Sequence, residues 1–214
     1  MPGPHTFLER LKLTPVIILK LFVVQFFTWI GLFALWIYAL PVISRHIFKT
    51  VDSASADFEK SVSWVGYCFA FYSVLAACLA FLIPRLTKRL SIFRLHAFAL
   101  LIGSVGFFLV YVAQNKWMLF IAFIFIAIGW SSISNIPYRM VSEVVEEEEK
   151  LTFYMSLFSF SVVIPQVFAA ILLGLITRYI FAGDSLYTIL TGGFCMLLAG
   201  LIMLFIQPVK ASTS

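Results

Sequence analysis

The sequence predicts an all-α membrane protein with six transmembrane helices, and its composition and its long apolar runs are the observations that predict it. Of the 214 residues, 62% are hydrophobic and only 12% are charged, against about 25% charged in an ordinary soluble domain. The mean hydropathy is +1.04. A soluble domain of this size could not cover so much apolar surface, because much of its surface must face water. The chain is therefore expected to lie in a lipid bilayer.

Six apolar runs are long enough to cross a bilayer, for which a helix needs about 20 residues. Each run is bounded by charged residues or by turn residues. The predicted spans are about 21–44, 62–83, 95–113, 117–138, 153–180 and 186–206. Residues 1–20 are expected to be a cytoplasmic lead-in, 21–208 the transmembrane domain and 209–214 a cytoplasmic tail.

Residues at the ends of the runs justify each span in order. The first run lies between Lys20 and Arg45, and the second ends at Pro84. The third stops near Ala113, and the fourth follows it closely, beginning at Trp117. The fifth run is long enough to tilt or break. The sixth stops before Pro208, and the polar stretch 52–60 between the first two spans is expected to be an exposed loop.

The distribution of Lys and Arg predicts the orientation of the chain, because cytoplasmic loops carry an excess of both. Ten of the 15 Lys and Arg residues fall on one side of the predicted spans and five on the other. The side with ten is expected to be cytoplasmic, so that both termini lie inside the cell. The expected location is the bacterial inner (plasma) membrane.

The sequence carries no motif of a soluble enzyme, and we expect neither a catalytic residue, a cofactor nor a metal site. HExxH, a Walker loop and GxSxG are all absent, and the three histidines are far apart in sequence. The net charge of +5 is explained by membrane topology and does not call for nucleic acid as a partner. No Asp, Glu, Lys or Arg lies deep within a predicted span, which argues against proton coupling by this segment alone.

Uncharged polar and aromatic residues on the first span are the principal candidates for a binding site. Gln25, Trp29 and Trp36 are spaced by four and seven residues and share one helical face, with Thr28 at its border. An amide and two indoles suit a sugar, because the hydroxyls need hydrogen-bond partners and the apolar ring face stacks on an aromatic ring. The alternative is ordinary packing between helices with interhelical hydrogen bonds.

Three other spans add candidates with the same alternative. The fourth span ends in WSSISNIPYRMVSE, in which Ser131, Asn135 and Tyr138 share a face beside Pro137. The fifth span places Ser159 and Gln166 seven residues apart, and the second span contains Tyr67 and Phe71. Tyr67, Asn135, Ser159 and Gln166 are predicted to line the cavity. The small residues Gly103, Gly106, Ala170 and Gly174 are assigned to close helix contacts.

Two charged loops on the predicted cytoplasmic side are candidates for a gate. Arg85, Lys88 and Arg89 lie between the second and third spans, and Glu143 precedes the acidic run 146–149. Pairing between these loops would close the cytoplasmic side, because a network of ion pairs can bias two states of similar energy. The alternative is that both loops are simply solvated.

Three segments resemble the C-terminal half of major facilitator sugar transporters, of the glycoside-pentoside-hexuronide and solute-carrier family 45 type. They are VQFFTWIGLFALWIYALP (24–41), SNIPYRMVSE (134–143) and FYMSLFSFSVVIPQVFAAILLG (153–174). The resemblance covers about residues 20–208, and QFFTW and VIPQ are its more specific parts. The acidic run 146–149 departs from the family pattern.

The resemblance implies helices seven to twelve of a twelve-helix carrier with two six-helix halves, each built from two three-helix repeats of inverted topology. A neutral sugar such as a disaccharide would bind between the halves and cross by proton symport with alternating access. The proton-coupling acid is expected in the N-terminal half, on the same chain or on a separate one.

Two other functions stay open at this stage. The chain could be a self-contained six-helix protein that forms a homodimer or acts as a membrane partner without transport, or the product of a truncated transporter gene. An intramembrane enzyme is disfavoured, because the spans contain no pair of residues resembling a catalytic dyad.

Overall fold

The computed structural model describes residues 14–145 and 148–206, with the side chains of 148 and 149 left out. Within these residues the protein is helical and has no β-strand. The six long helices are α1 (Val16–Val42), α2 (Ala56–Ala80), α3 (Ile92–Val112), α4 (Lys116–Asn135), α5 (Glu148–Tyr179) and α6 (Ser185–Leu204). All six are long and apolar enough to cross a membrane. The predicted fold class, an all-α membrane protein with six spans, is confirmed.

Two helices begin earlier than the predicted apolar runs. α1 begins at Val16 and includes the exposed Lys20, whose long side chain can reach the membrane surface. α2 begins at Ala56 because the Ser55 side chain caps it, accepting a hydrogen bond from the backbone N–H of Phe58. The prediction that the whole stretch 52–60 is a loop is wrong, since its second half is helix.

The prolines act differently at three places. Pro41 lies inside α1, which continues as a π-helical turn over Ile43–Ile47. α4 ends at Asn135, and Pro137 starts a separate short helix, Pro137–Val144. α5 continues through Pro165 without interruption, so the fifth span does not break. A second short helix, Ile83–Leu86, lies in the basic loop after α2.

The helix contacts have an internal two-fold pattern. Five pairs pack extensively: α1 with α5, α1 with α6, α2 with α4, α3 with α4, and α3 with α6. Exchanging the first three helices with the last three maps this set of pairs onto itself. Because α4 crosses the membrane in the opposite direction from α1, the two three-helix units are related as inverted repeats. We call the membrane side at which α1 begins the N side.

Glycines allow α3 and α4 to approach closely. The Cα atom of Gly129 lies 3.1 Å from the position a Cβ atom would take on Gly103. A Cβ atom on Gly106 would lie 2.6 Å from the backbone oxygen of Ala122. In the part of the chain that the structure describes, Ala170 and Gly174 do not make the close contact predicted for them: Ala170 is exposed, and a Cβ atom on Gly174 would meet no described atom within 4 Å.

The substitution Gly106→Ala is expected to destabilise the chain, whereas Gly174→Ala is not. The added methyl at residue 106 would overlap the backbone of α4, at a cost of about 1–3 kcal/mol. At Gly174 only helix propensity acts, which favours alanine by up to about 1 kcal/mol. Reversible unfolding in mixed detergent micelles measures both free energies. Equal shifts in the same direction would contradict the described α3–α4 contact.

On the side opposite the N side, the end of α1 is tied to the loop before α6. His46 Nε2 lies 3.1 Å from Asp184 Oδ1, and Arg45 Nη1 donates to the Gly183 carbonyl at 3.2 Å. Asp184 also caps α6, accepting a hydrogen bond from the Leu186 N–H at 2.9 Å. The turn is built with positive φ angles at Ala182 and Gly183, so Asp184 serves two functions in a tightly bent segment.

Asp184→Ala is therefore expected to cost more stability than His46→Gln. Loss of an N-cap costs about 1 kcal/mol, and the partly exposed pair with His46 adds less than about 1 kcal/mol. His46→Gln removes only the pair. Unfolding of both variants in the same micelles gives the comparison; an equal loss would show that the cap contributes nothing.

Candidate functional site

Four aromatic side chains from α1, α2 and α4 form one cluster, which we call the tryptophan cluster: Trp29, Trp36, Tyr72 and Trp130. The Trp29 ring centroid lies 6.0 Å from that of Trp36 and 6.2 Å from that of Trp130. Trp36 and Trp130 are 5.4 Å apart, and Tyr72 stacks on Trp130 at 6.1 Å. Trp29 and Trp36 lie on one face of α1, as predicted. Trp130 of α4, the helix related to α1 by the two-fold pattern, packs against both of them.

The helices of this cluster carry buried polar atoms that find no hydrogen-bond partner within residues 14–145 and 148–206. They include Gln25 Oε1, Trp29 Nε1 and Ser131 Oγ. Gln25 is only 2% exposed and Ser131 only 3%. A buried polar atom that makes no hydrogen bond costs about 1–3 kcal/mol. Unpaired atoms of this kind are therefore expected where a bound molecule or water supplies the missing partner.

The other predicted cavity residues are not all equally available to a ligand. The Thr28 hydroxyl is fully buried and donates to the Val24 carbonyl at 2.7 Å. The exposed Ser159 donates to the Met155 carbonyl, and the exposed Asn135 donates to the Ser131 carbonyl at 2.7 Å. Gln166 is half-buried on α5. Thr28 is thus bonded within its own helix, while Asn135, Ser159 and Gln166 keep accessible surface.

Tyr67 belongs to a second aromatic group on the side opposite the N side. It is 61% exposed and contacts Trp64, which packs against Trp117 at 5.5 Å. Lys116 Nζ lies 5.2 Å from the Trp64 ring centroid and 5.5 Å from that of Trp117, within cation–π range. This arrangement is typical of residues at a membrane–water interface.

A cavity of about 410 Å³ lies between α1 and α5. Its lining residues are almost entirely apolar: Phe22, Phe26, Leu157, Phe160, Ser161, Ile164 and Pro165. The hydroxyl of Ser161, the one polar side chain among them, donates to the Phe158 carbonyl. The cavity suits hydrocarbon and offers little to sugar hydroxyls, so the tryptophan cluster is the better candidate for a polar ligand.

The predicted gate is only partly covered by the described residues. Arg85, Lys88, Arg89 and Glu143 are all exposed, and none of them forms an ion pair within the part of the chain that the structure describes. The side chains of the acidic run 146–149 lie outside the described residues. The proposed pairing between the two loops therefore stays a prediction.

Sequence reasoning did not select Trp130 and Tyr72 as site residues. Trp130 is the first residue of the polar segment singled out in the fourth span, but the face predicted there was that of Ser131, Asn135 and Tyr138. Tyr72 was passed over in favour of Tyr67 and Phe71, since nothing in α2 distinguishes the buried face from the exposed one. The packing of α2 against α4 settles which of these tyrosines is buried.

The geometry fits reversible binding better than covalent chemistry. The cluster provides flat aromatic faces, indole and phenol groups, and one buried amide, which is the composition of a site for a polar molecule with an apolar face. In the described residues no group of three His, Cys, Asp or Glu side chains is placed to hold a metal ion. Comparison of the chain with protein-family models and with curated proteins finds no match.

Proposed function

We propose that this chain is one half of a secondary transporter that moves a neutral sugar or glycoside across the membrane, as in the major facilitator superfamily, with the N side facing the cytoplasm. The observation that carries the proposal is the tryptophan cluster, in which aromatic faces and unpartnered buried polar atoms occur together on α1 and α4. Sugar hydroxyls would pair with those polar atoms, and the sugar ring would stack on an indole.

The two-fold pattern of helix contacts supports the proposal. Many secondary transporters are built from inverted repeats, with the substrate site near the middle of the bilayer where the repeats meet. Here α1 and α4 are the first helices of the two repeats, and both contribute tryptophans to the cluster. A six-helix unit with this pattern corresponds to one half of a twelve-helix carrier.

The uncovered faces of α2 and α5 support the presence of a second half. In the most apolar stretch of each helix, 17% of residues are buried in α2 and 28% in α5, against 44–50% in the other four. α2 exposes the small residues Ser63, Gly66, Ala70, Ser73 and Ala77. Their spacings of three and four residues place them on one stripe, and small residues allow close approach of another helix.

A homodimer is the alternative, because the same two uncovered helices could receive a second copy of this chain. Cysteines introduced at Gly66 and Ala170 distinguish the two arrangements. Crosslinking between two tagged copies favours the homodimer. Crosslinking to a different six-helix polypeptide, or within a longer chain, favours a carrier with two unlike halves.

The function is tested by uptake in cells that contain the gene at its own locus. Deletion of the gene is expected to abolish uptake of one labelled neutral sugar from a panel that includes disaccharides and aryl glycosides. A protonophore is expected to abolish the same uptake. Uptake unchanged by the deletion across the panel would overturn the proposal, and uptake that ignores the protonophore would overturn the symport part.

A further inference from the structure

Within the described spans, His96 is the buried side chain that can gain a positive charge, since the Lys and Arg residues there are exposed. It is 1% exposed, and the other buried polar side chains there are Ser, Thr, Gln, Tyr and Cys, none of which becomes a cation. Ionisable residues inside a membrane domain are costly and usually serve a function. His96 lies on α3, which contributes no side chain to the tryptophan cluster. The candidate binding site therefore does not account for this residue.

His96 joins the two repeats at the N side. Its Nδ1 lies 2.7 Å from the Ser132 hydroxyl of α4, so the bond links the last helix of the first repeat with the first helix of the second. Ser131, with its unpartnered hydroxyl, is the preceding residue on α4. One residue further back, Trp130 belongs to the tryptophan cluster. The histidine is thus connected to the candidate binding site through one short helical segment.

We propose that His96 is a proton-binding site whose occupancy favours opening of the seam between α3 and α4 toward the N side. As a step in transport, this inference rests on the proposed function. The proton comes from water on the N side and adds to the ring nitrogen that carries no hydrogen. Whichever tautomer is present before, the resulting imidazolium carries a hydrogen on Nδ1 and can donate it to Ser132 Oγ, so the contact is kept and the change is the added positive charge.

The surroundings of His96 explain why that charge favours an open seam. Over Trp117–Asn135 of α4 there is no charged residue, and α6 offers only Tyr187 and Cys195 as titratable groups. The nearest charged residues along the chain are Arg94 on α3 and Arg139 and Glu143 on the short helix after α4, and all three side chains are exposed. A buried charge without a counter-ion is unfavourable, so protonation would favour a conformation in which water reaches the imidazole.

The test measures access to the seam and needs no substrate. Ser131→Cys places a thiol one residue from Ser132, in a chain that keeps Cys78 and lacks Cys68 and Cys195. Cys78 is exposed near the N-side end of α2 and serves as the reference for the effect of pH on thiol reactivity. A charged thiol reagent is added to the N side of vesicles containing the full chain.

The labelling of residue 131 relative to Cys78 is expected to rise at least about fivefold between about pH 7.5 and about pH 5.5, the range in which an imidazole reached by water in the open seam takes up its proton. His96→Asn, which keeps an N–H group near the Nδ1 position, is expected to abolish the rise. His96→Gln is a second non-titrating variant in case the first fails to fold. His46→Gln, which removes the other described histidine, is the matched control and is expected to keep the rise.

A flat ratio in the unmodified His96 background would overturn the inference, and so would an equal rise in His96→Asn. The outcome is separable from the proposed function. Absence of sugar uptake together with a His96-dependent rise would remove the transporter and leave the proton site. Proton-driven uptake together with a flat labelling ratio would remove the proton site at His96 and leave the proposed transporter.

Discussion

Replacing Gln25 by leucine is expected to lower sugar uptake roughly 10- to 100-fold, because a sugar hydroxyl left buried without its partner costs about 1–3 kcal/mol. The same substitution is expected to raise the stability of the chain by about 1 kcal/mol, because it removes a buried oxygen that has no partner. Gln25 Oε1 is that oxygen, and the side chain is almost fully enclosed. Opposite effects on activity and on stability would mark the residue as retained for binding.

The measurements are uptake of the labelled sugar and reversible unfolding of the same preparation. Ser104→Ala is the control, because Ser104 is equally buried but its hydroxyl already donates to the Leu101 carbonyl at 2.7 Å. That variant is expected to keep its uptake and to lose about 1 kcal/mol of stability. If Gln25→Leu lost both uptake and stability, the amide would be a packing element and the site would lie elsewhere.

The sequence was sufficient to predict the six helices, because each apolar run is long enough to cross a bilayer and is bounded by polar residues. The start of α2 was predicted wrongly, because composition alone assigns the polar segment 52–60 to a loop. In the structure Ser55 caps the helix, which begins within that segment. The position of a helix cap cannot be read from an apolar run, because a cap depends on one side chain accepting a hydrogen bond from one backbone N–H.

The site was predictable only along a single helix. Helical spacing correctly placed Trp29 and Trp36 on one face, because that depends only on positions within α1. The contributions of Trp130 and Tyr72 depend on which helices are neighbours, and all faces of these helices are similarly apolar. The same limitation explains Ala170 and Gly174, whose spacing is that of a contact motif although no helix among the described residues packs closely against them.

The second large effect on sugar uptake is expected from substitutions on the uncovered faces of α2 and α5. The variant with Ala70→Leu and Ala170→Leu is expected to abolish sugar uptake, since bulky side chains would separate helices that approach closely. Both alanines are exposed, so the isolated chain is expected to unfold at the same detergent concentration as the wild type. The defect would lie in assembly alone.

Size-exclusion chromatography and co-purification in mild detergent measure the assembly, and uptake measures its consequence. Val105→Leu enlarges an exposed side chain on α3, away from both faces, and is expected to change neither. Normal assembly of the double alanine variant would show that α2 and α5 face lipid, and the unit would then have to bind its ligand without a second half. Lost assembly with unchanged stability would mean that the carrier is completed by a partner on these two helices, in keeping with the buried polar atoms on α1 and α4 that find no hydrogen-bond partner among the described residues.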